Sequence, residues 1–223
     1  RRNPAYRPRP EPADGLAGGK VARFDRVDFV SLPDPATRVA ALRAGEVDYL
    51  EFVPTDYLGM LRRDRNIALV NPRPIAQIMG AIGINHLHPP FNNPGVRRAL
   101  QQAMDQSEIL AGLGLPQDMW LRWCQSIFMC GGPYANTAGT EPLRSPSIEK
   151  ARDLLKQAGY ANEPVVFLHS TDSTTINPMA LVIIDRLRRA GFNLDVVASD
   201  YSSQAQRRLS REPPGKGGWS LMP

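Results

Sequence analysis

The sequence predicts an α/β protein, and three observations carry that prediction. Helix-period apolar stripes preceded by capping residues alternate with short runs rich in Val, Ile and Phe, the pattern of helices laid on a sheet. Val165–Ala198 reads strand, helix, strand, an order that implies parallel, right-handed pairing. The 223 residues are 42% hydrophobic and 22% charged, enough to bury a core, and no stretch approaches the ~20 apolar residues of a membrane helix. A disordered chain and a helical membrane span are thereby excluded.

Residues 1–20, rich in Pro, Arg and Gly, read as an irregular connection. Phe24, Val27, Phe29 and Val30 predict a strand that Pro33 ends, because proline cannot donate to a ladder. Asp34-Pro35 supplies a cap and a first-turn proline for a helix over 36–44, with Val39 and Leu42 inward and Gly45 as its stop. The alternation of 47–53 predicts a second strand, Thr55-Asp56 a short helix through Leu61, and Ile67–Val70 a third strand. This β-α-β-α-β segment holds too little apolar surface for a complete domain and reads as one corner of a larger sheet.

A new segment starts with an apolar strand from Ile78 to Ile84. Asn92-Asn93-Pro94 opens a helix from Val96 to about Leu110. The Gly/Pro-rich stretch 112–146 follows, holding both cysteines and two of the three tryptophans, and its length and aromatic content mark it as functional. Then come a capped helix over 147–158, a strand at 165–169, a helix from Asn177-Pro178 to Ala190, a strand at 193–198 and a short basic helix over 203–211. Both termini read as cut from a longer polypeptide: no initiator Met or leader precedes Arg1, and the chain stops abruptly after Trp219.

The net charge is +5 and the sequence pI about 9.5. Arginine carries the excess in scattered pairs such as Arg97-Arg98 and Arg207-Arg208, interleaved with acids, so the charge reads as solvated helix faces and no nucleic-acid partner is expected. The glycines of 18–19, 112–114, 131–132 and 215–218 do not follow a strand and open a helix, which argues against nucleotide binding. No Ser/His/Asp order or close carboxylate pair supports an enzyme, and no cofactor is expected.

Several motifs occur together in order: Asn3-Pro4-x-Tyr6; Asp25-Arg26-Val27; Pro33-Asp34-x-x-Thr37-Arg38-x-x-Ala41-Leu42-x-x-Gly45-Glu46-Val47-Asp48; Pro89-Pro90-Phe91-x-x-x-x-Val96-Arg97-x-Ala99-Leu100; Ala151-x-x-Leu154-Leu155-x-x-Ala158-Gly159-Tyr160; Gly218-Trp219. In this order the chain resembles the extracytoplasmic solute-binding proteins of ABC importers, in the oligopeptide, dipeptide and nickel class. The resemblance implies periplasmic-binding-protein-like (Venus-flytrap) lobes: residues 1–75 as the last part of lobe I before the crossover, 76–214 as lobe II and 215–223 as the start of the return strand. It also implies capture of a peptide-like or amine-bearing solute, delivery to an ABC permease and ATPase complex, a periplasmic location and a monomer when full length. A sensory receptor domain or an enzyme built on the same lobes is the alternative. Two departures weaken a plain dipeptide ligand: Met222 stands where some relatives have an acid, and Asp172-Ser173-Thr174-Thr175 where dipeptide-binding relatives carry an arginine.

Within that frame the candidate ligand contacts are Trp219, Ser220, Asp172, Thr174, Trp120, Trp123, Tyr134 and His169. Flat rings stack on solute backbones without demanding one side chain. Asp172 and Thr174 offer hydrogen bonds after a strand, and an acidic Asp172 suits a ligand amine; plain turn chemistry is the competing reading. His169 ends a parallel strand, where open α/β sheets place ligands. In an oxidising compartment Cys124 and Cys130 read most simply as a disulfide closing a short loop, with free thiols as the alternative. His86 and His88 share one face of an extended chain but lack further metal ligands beside them, so no metal is assigned.

Overall fold

A computed structural model describes residues 3–14, 17–70, 80–121 and 124–223. The chain divides into two compact units, Arg1–Ile78 and Met79–Pro223.

The first unit holds helix α1 (Pro35–Ala44), a 3-10 turn at Thr55–Tyr57 and helix α2 (Leu58–Leu61). Asp34 caps α1 as expected: its carboxylate accepts from the Thr37 amide and hydroxyl, both at 2.7 Å, which holds the Asp34 pKa below the usual carboxylate range. Gly45 closes the helix in the left-handed conformation at φ 74°. The three strands expected here do not form. Residues 24–30, 47–53 and 67–70 are irregular, and Phe29, at 98% exposure, has no neighbour to cover it. A strand needs a second strand for its amides and carbonyls, and the described residues of this unit offer no ladder beyond the isolated bridge between Asp14 and Ala17.

The second unit is built around a four-stranded sheet: β1 (Gly83–Ile84), β2 (Val165–Ser170), β3 (Leu194–Ser199) and β4 (Leu221–Met222), in the order β1-β4-β2-β3. The strand expected from Ile78 shrinks to β1 within the described residues, and 71–79 lie outside them. β2 pairs in parallel with β3 from Val165↔Leu194 to Ser170↔Ser199, as the strand–helix–strand reading requires. It also pairs in parallel with β4 through Phe167↔Leu221, while β1 runs antiparallel to β4. The segment assigned to a return strand thus lies inside this sheet, between β1 and β2.

Helices α3 (Pro94–Ala103), α4 (Gln106–Gly112), α5 (Glu141–Arg144), α6 (Ile148–Gln157), α7 (Ile176–Arg189) and α8 (Tyr201–Arg207) complete the unit. The single helix expected over 96–110 is broken, because Met104 turns extended and the Asp105 side chain caps a new helix through the amides of Ser107 and Glu108. α3 packs on α6 and α4 on α7. At the α4–α7 crossing Gly112 lets the helices approach closely, since a Cβ there would stand 2.6 Å from Val182 Cγ2 and that side chain would have to shift. The buried Arg186 locks the same crossing: its Nε donates to the Ala103 carbonyl, closing the gap left by the helix break, and its Nη1 pairs with Glu108.

The two sheet faces differ. Val165, Phe167 and Leu221 join Phe91, Leu100, Ile183 and Leu187 in the main core. On the other face Val166, Leu168 and Met222 form a small cluster with half-buried Val197 and Trp219. This alternation follows from the two-residue period of a strand buried on both sides.

Candidate functional site

The expected contact residues fall in three places in the second unit. At the N-terminal end of β2, Ser220 is fixed to Val166 twice: its amide donates to the Val166 carbonyl at 2.9 Å, and its hydroxyl accepts from the Val166 amide at 3.1 Å. Ser220 is 2% exposed, so its hydroxyl anchors the chain beside β2. That anchor sets the position of Trp219. The Trp219 ring rests within 3.9 Å of where a Gly83 Cβ would stand, and its carbonyl accepts from Asn85 Nδ2 at 2.9 Å. Its indole Nε1 is buried with no hydrogen-bond partner, and a buried donor left in that state costs about 1–3 kcal/mol. Gly218 allows the approach: a Cβ there would meet the Glu212 carbonyl at 1.8 Å, and both Nε and Nη2 of Arg207 donate to the Gly218 oxygen.

The second place lies at the C-terminal ends of β2 and β3, about 13 Å further along at ~3.3 Å per strand residue. His169 is buried and its Nε2 donates to Asn177 Oδ1 at 2.7 Å, so the asparagine expected to open this helix lies in the first turn of α7 and fixes the imidazole, while Ser173 Oγ accepts the Ile176 amide. Asp172 is exposed and accepts the Tyr201 amide at 2.9 Å, tying the loop to the start of α8. Thr174 is exposed. Beneath them Gln204, 1% exposed, donates to the Val197 carbonyl and to Ser199 Oγ, leaving its Oε1 buried without a partner.

The third place is the excursion between α4 and α6. Cys124 and Cys130 form a disulfide with Cα atoms 5.6 Å apart. Gln106 grips its base through both amide groups, Oε1 accepting from the Cys124 amide and Nε2 donating to the Cys124 carbonyl. Trp120 is half-buried and donates to the Leu115 carbonyl, whereas Tyr134 is exposed and leans on Phe128 at 5.9 Å between ring centroids. Trp123 lies outside the described residues.

Asn85, Asn177, Gln204, Gln106 and Arg207 position these elements, and sequence reasoning assigned none of them a site role. Their one signal is a carboxamide or guanidinium at the border of an apolar run, a pattern that also fits a solvent-facing residue. His88, by contrast, is tied to the Arg211 carbonyl at 2.8 Å. Among the described residues no group of three or more His, Cys, Asp or Glu is placed to hold a metal, and no helix is long and apolar enough to cross a membrane.

Comparison with known proteins adds four findings. The family model described as the middle part of the bacterial extracellular solute-binding proteins, family 5, matches residues 1–215. The probable peptide ABC transporter periplasmic-binding protein y4tO of Sinorhizobium fredii (strain NBRC 101917 / NGR234) is 38% identical over 226 residues, covering 99% of this chain and 42% of that protein. The glutathione-binding protein GsiB of Escherichia coli (strain K12) is 28% identical over 202 residues, covering 88% of this chain and 36% of its own length. Among solved structures, the binding protein AgaA of A. tumefaciens R10 in complex with agropinic acid superposes with a TM-score of 0.62 at 22% identity, over 86% of this chain and 37% of that one, a likeness of fold. The chain therefore spans about two fifths of the length of the relatives it matches.

Proposed function

We propose that this chain, which belongs to the bacterial extracellular solute-binding proteins of family 5, is part of a protein that captures a peptide-like or amine-bearing solute between two lobes and hands it to an ABC permease. The observation that carries this reading is the family match over residues 1–215, reinforced by a relative at 38% identity named as a periplasmic-binding protein of a peptide transporter. The action is recognition without bond making, in a periplasmic compartment whose oxidising conditions suit the Cys124–Cys130 disulfide. Residues 1–75 belong to lobe I in this reading and 76–214 to lobe II, with β1 and β4 as the outward and returning crossings. The antiparallel pairing of β1 with β4 suits that role, since two crossings side by side make a hinge.

Trp219 is the foremost solute contact in this scheme, because its buried indole N–H lacks an acceptor that a solute carbonyl or carboxylate would supply. Asp172 and Thr174 are the polar contacts of the second place; Ser220 holds Trp219 through Val166, and His169 is held by Asn177 at the start of α7. Mass spectrometry of small molecules released from the whole protein identifies the solute. Trp219→Ala then weakens its binding by about tenfold or more in a fluorescence-quench titration. Unchanged affinity removes Trp219 from the site, and the absence of any saturable peptide or amine ligand overturns the reading.

A further inference from the structure

The sheet edge formed by β1 meets the start of α3 in a groove of about 350 Å³ lined by Ile84, His86, Pro94, Arg97, Arg98 and Gln101. None of the six is acidic. Arg97 is half-buried and fixed, its Nη1 donating to the Phe91 carbonyl at 2.6 Å, so its remaining N–H groups are held in one orientation. Arg98, Gln101 and His86 are exposed, and among the described residues the Arg98 guanidinium has no ion-pair or hydrogen-bond partner. Arg186 and Arg189 of the same unit, by contrast, pair with Glu108 and Asp185. The result is an uncompensated positive groove with an apolar floor of Ile84 and Pro94.

We propose that this groove is a docking site for an acidic segment of a partner protein, whose carboxylates pair with Arg97 and Arg98 and hydrogen-bond to Gln101. A guanidinium presents a planar fork that matches a carboxylate. Arg97 and Gln101 stand four apart on α3, a spacing of about 5–6 Å that equals the spacing of carboxylates four apart on an acidic helix. Three alternatives fit less well. A small anion would leave one side in water, whereas small-molecule sites bury about 70–90% of their ligand. Single-stranded nucleic acid binds through aromatic platforms, and the groove has no aromatic ring. An anionic membrane surface is recognised by clusters of about 4–8 basic residues, more than stand here. The inference rests on side chains other than those of the solute reading, although Gly83 of β1 and Asn85 just after it hold Trp219.

The test is fluorescence anisotropy of the 223-residue chain with a labelled alanine-based peptide of ~13 residues carrying glutamates four apart, at low ionic strength where charge pairing is least screened. Saturable binding is expected, about tenfold weaker with glutamines in place of the glutamates, and about tenfold weaker again for Arg98→Glu with the acidic peptide. Arg208→Glu, an exposed change at the C-terminal cap of α8, leaves binding unchanged. Circular dichroism checks folding, and if Arg98→Glu perturbs it, the exposed Gln101→Glu replaces it with the same expectation. Equal binding of the glutamine peptide, or no loss with the groove variants, overturns the proposal. So does Arg98-dependent binding of polyphosphate or phosphatidylglycerol vesicles as tight as that of the peptide, which would mark a general anion patch. A solute titration monitored by tryptophan quenching is unaffected by Arg98→Glu, so failure here and failure of the solute reading are separable.

Discussion

Residues 24–30 and 165–170 are written in nearly the same alphabet of Val and Phe, yet they end in opposite environments. Phe167 is fully buried between β3 and β4, while Phe29 is 98% exposed on an irregular segment. Composition and alternation make a segment competent to be a strand, and a partner offering amides and carbonyls decides whether it becomes one. The second unit supplies its own partners: β2 has neighbours on both sides, α7 packs on it, and α3 and α6 contribute to the same core. The first unit supplies none among its described residues, and only its locally determined helices form.

The comparison is broken most directly by truncating one phenylalanine in each unit. Phe167→Ala should cost about 3–5 kcal/mol of the second unit's stability in urea unfolding, because it opens a cavity where the core cannot collapse. Phe29→Ala should stay within about 0.5 kcal/mol, as exposed substitutions do. A comparable loss from both changes would mean that residues 24–30 are packed after all.

Arg186 sharpens the picture of how the second unit holds itself together. Arg186→Leu leaves the Ala103 carbonyl and Glu108 without their partner and should cost about 1–3 kcal/mol by the same assay, with Arg189→Leu as a surface control near zero. Reduction of Cys124–Cys130 should cost about 2 kcal/mol on loop entropy, felt only in the excursion. Thiol labelling of the unfolded, unreduced protein should find no free thiol, and two labelled cysteines would contradict the pairing.

The smallest expected effect is a pH dependence confined to the second unit. Burial raises the Tyr160 pKa above its ordinary value, its hydroxyl donating to the Glu163 carbonyl and accepting from the Asn193 amide. A folded pKa above the unfolded value means that the contribution is intact below about pH 10 and is lost as pH rises through the folded value. Tyr160→Phe should lower stability by about 1 kcal/mol at neutral pH and flatten the decline at alkaline pH. An unchanged alkaline decline would assign it to another group.

The helix signals were legible where they are local: Asp34 before Pro35 and Ser147 before α6 each cap the helix they precede, whereas the helix expected over 203–211 forms earlier, as Tyr201–Arg207 capped by Asp200. The parallel β2–β3 unit was legible for a related reason, since strand, helix and strand follow one another directly. What the sequence could not show depends on distant partners. The break at Met104 rests on Asp105 and on Arg186, which reaches the Ala103 carbonyl from α7. At the candidate site, Trp219 and His169 stand out by residue type. The carboxamides that fix them, Asn85 and Asn177, could be recognised only once the chain had brought residues 85 and 219 together.

Amide hydrogen exchange on the 223-residue chain tests the contrast between the two units in one measurement. Strong protection is expected across Val165–Ser170, together with exchange near the unfolded rate at residues 24–30 and 47–53. Protection of those first-unit segments as strong as that of β2 would contradict the account, because it would mean that they had found strand partners within this chain.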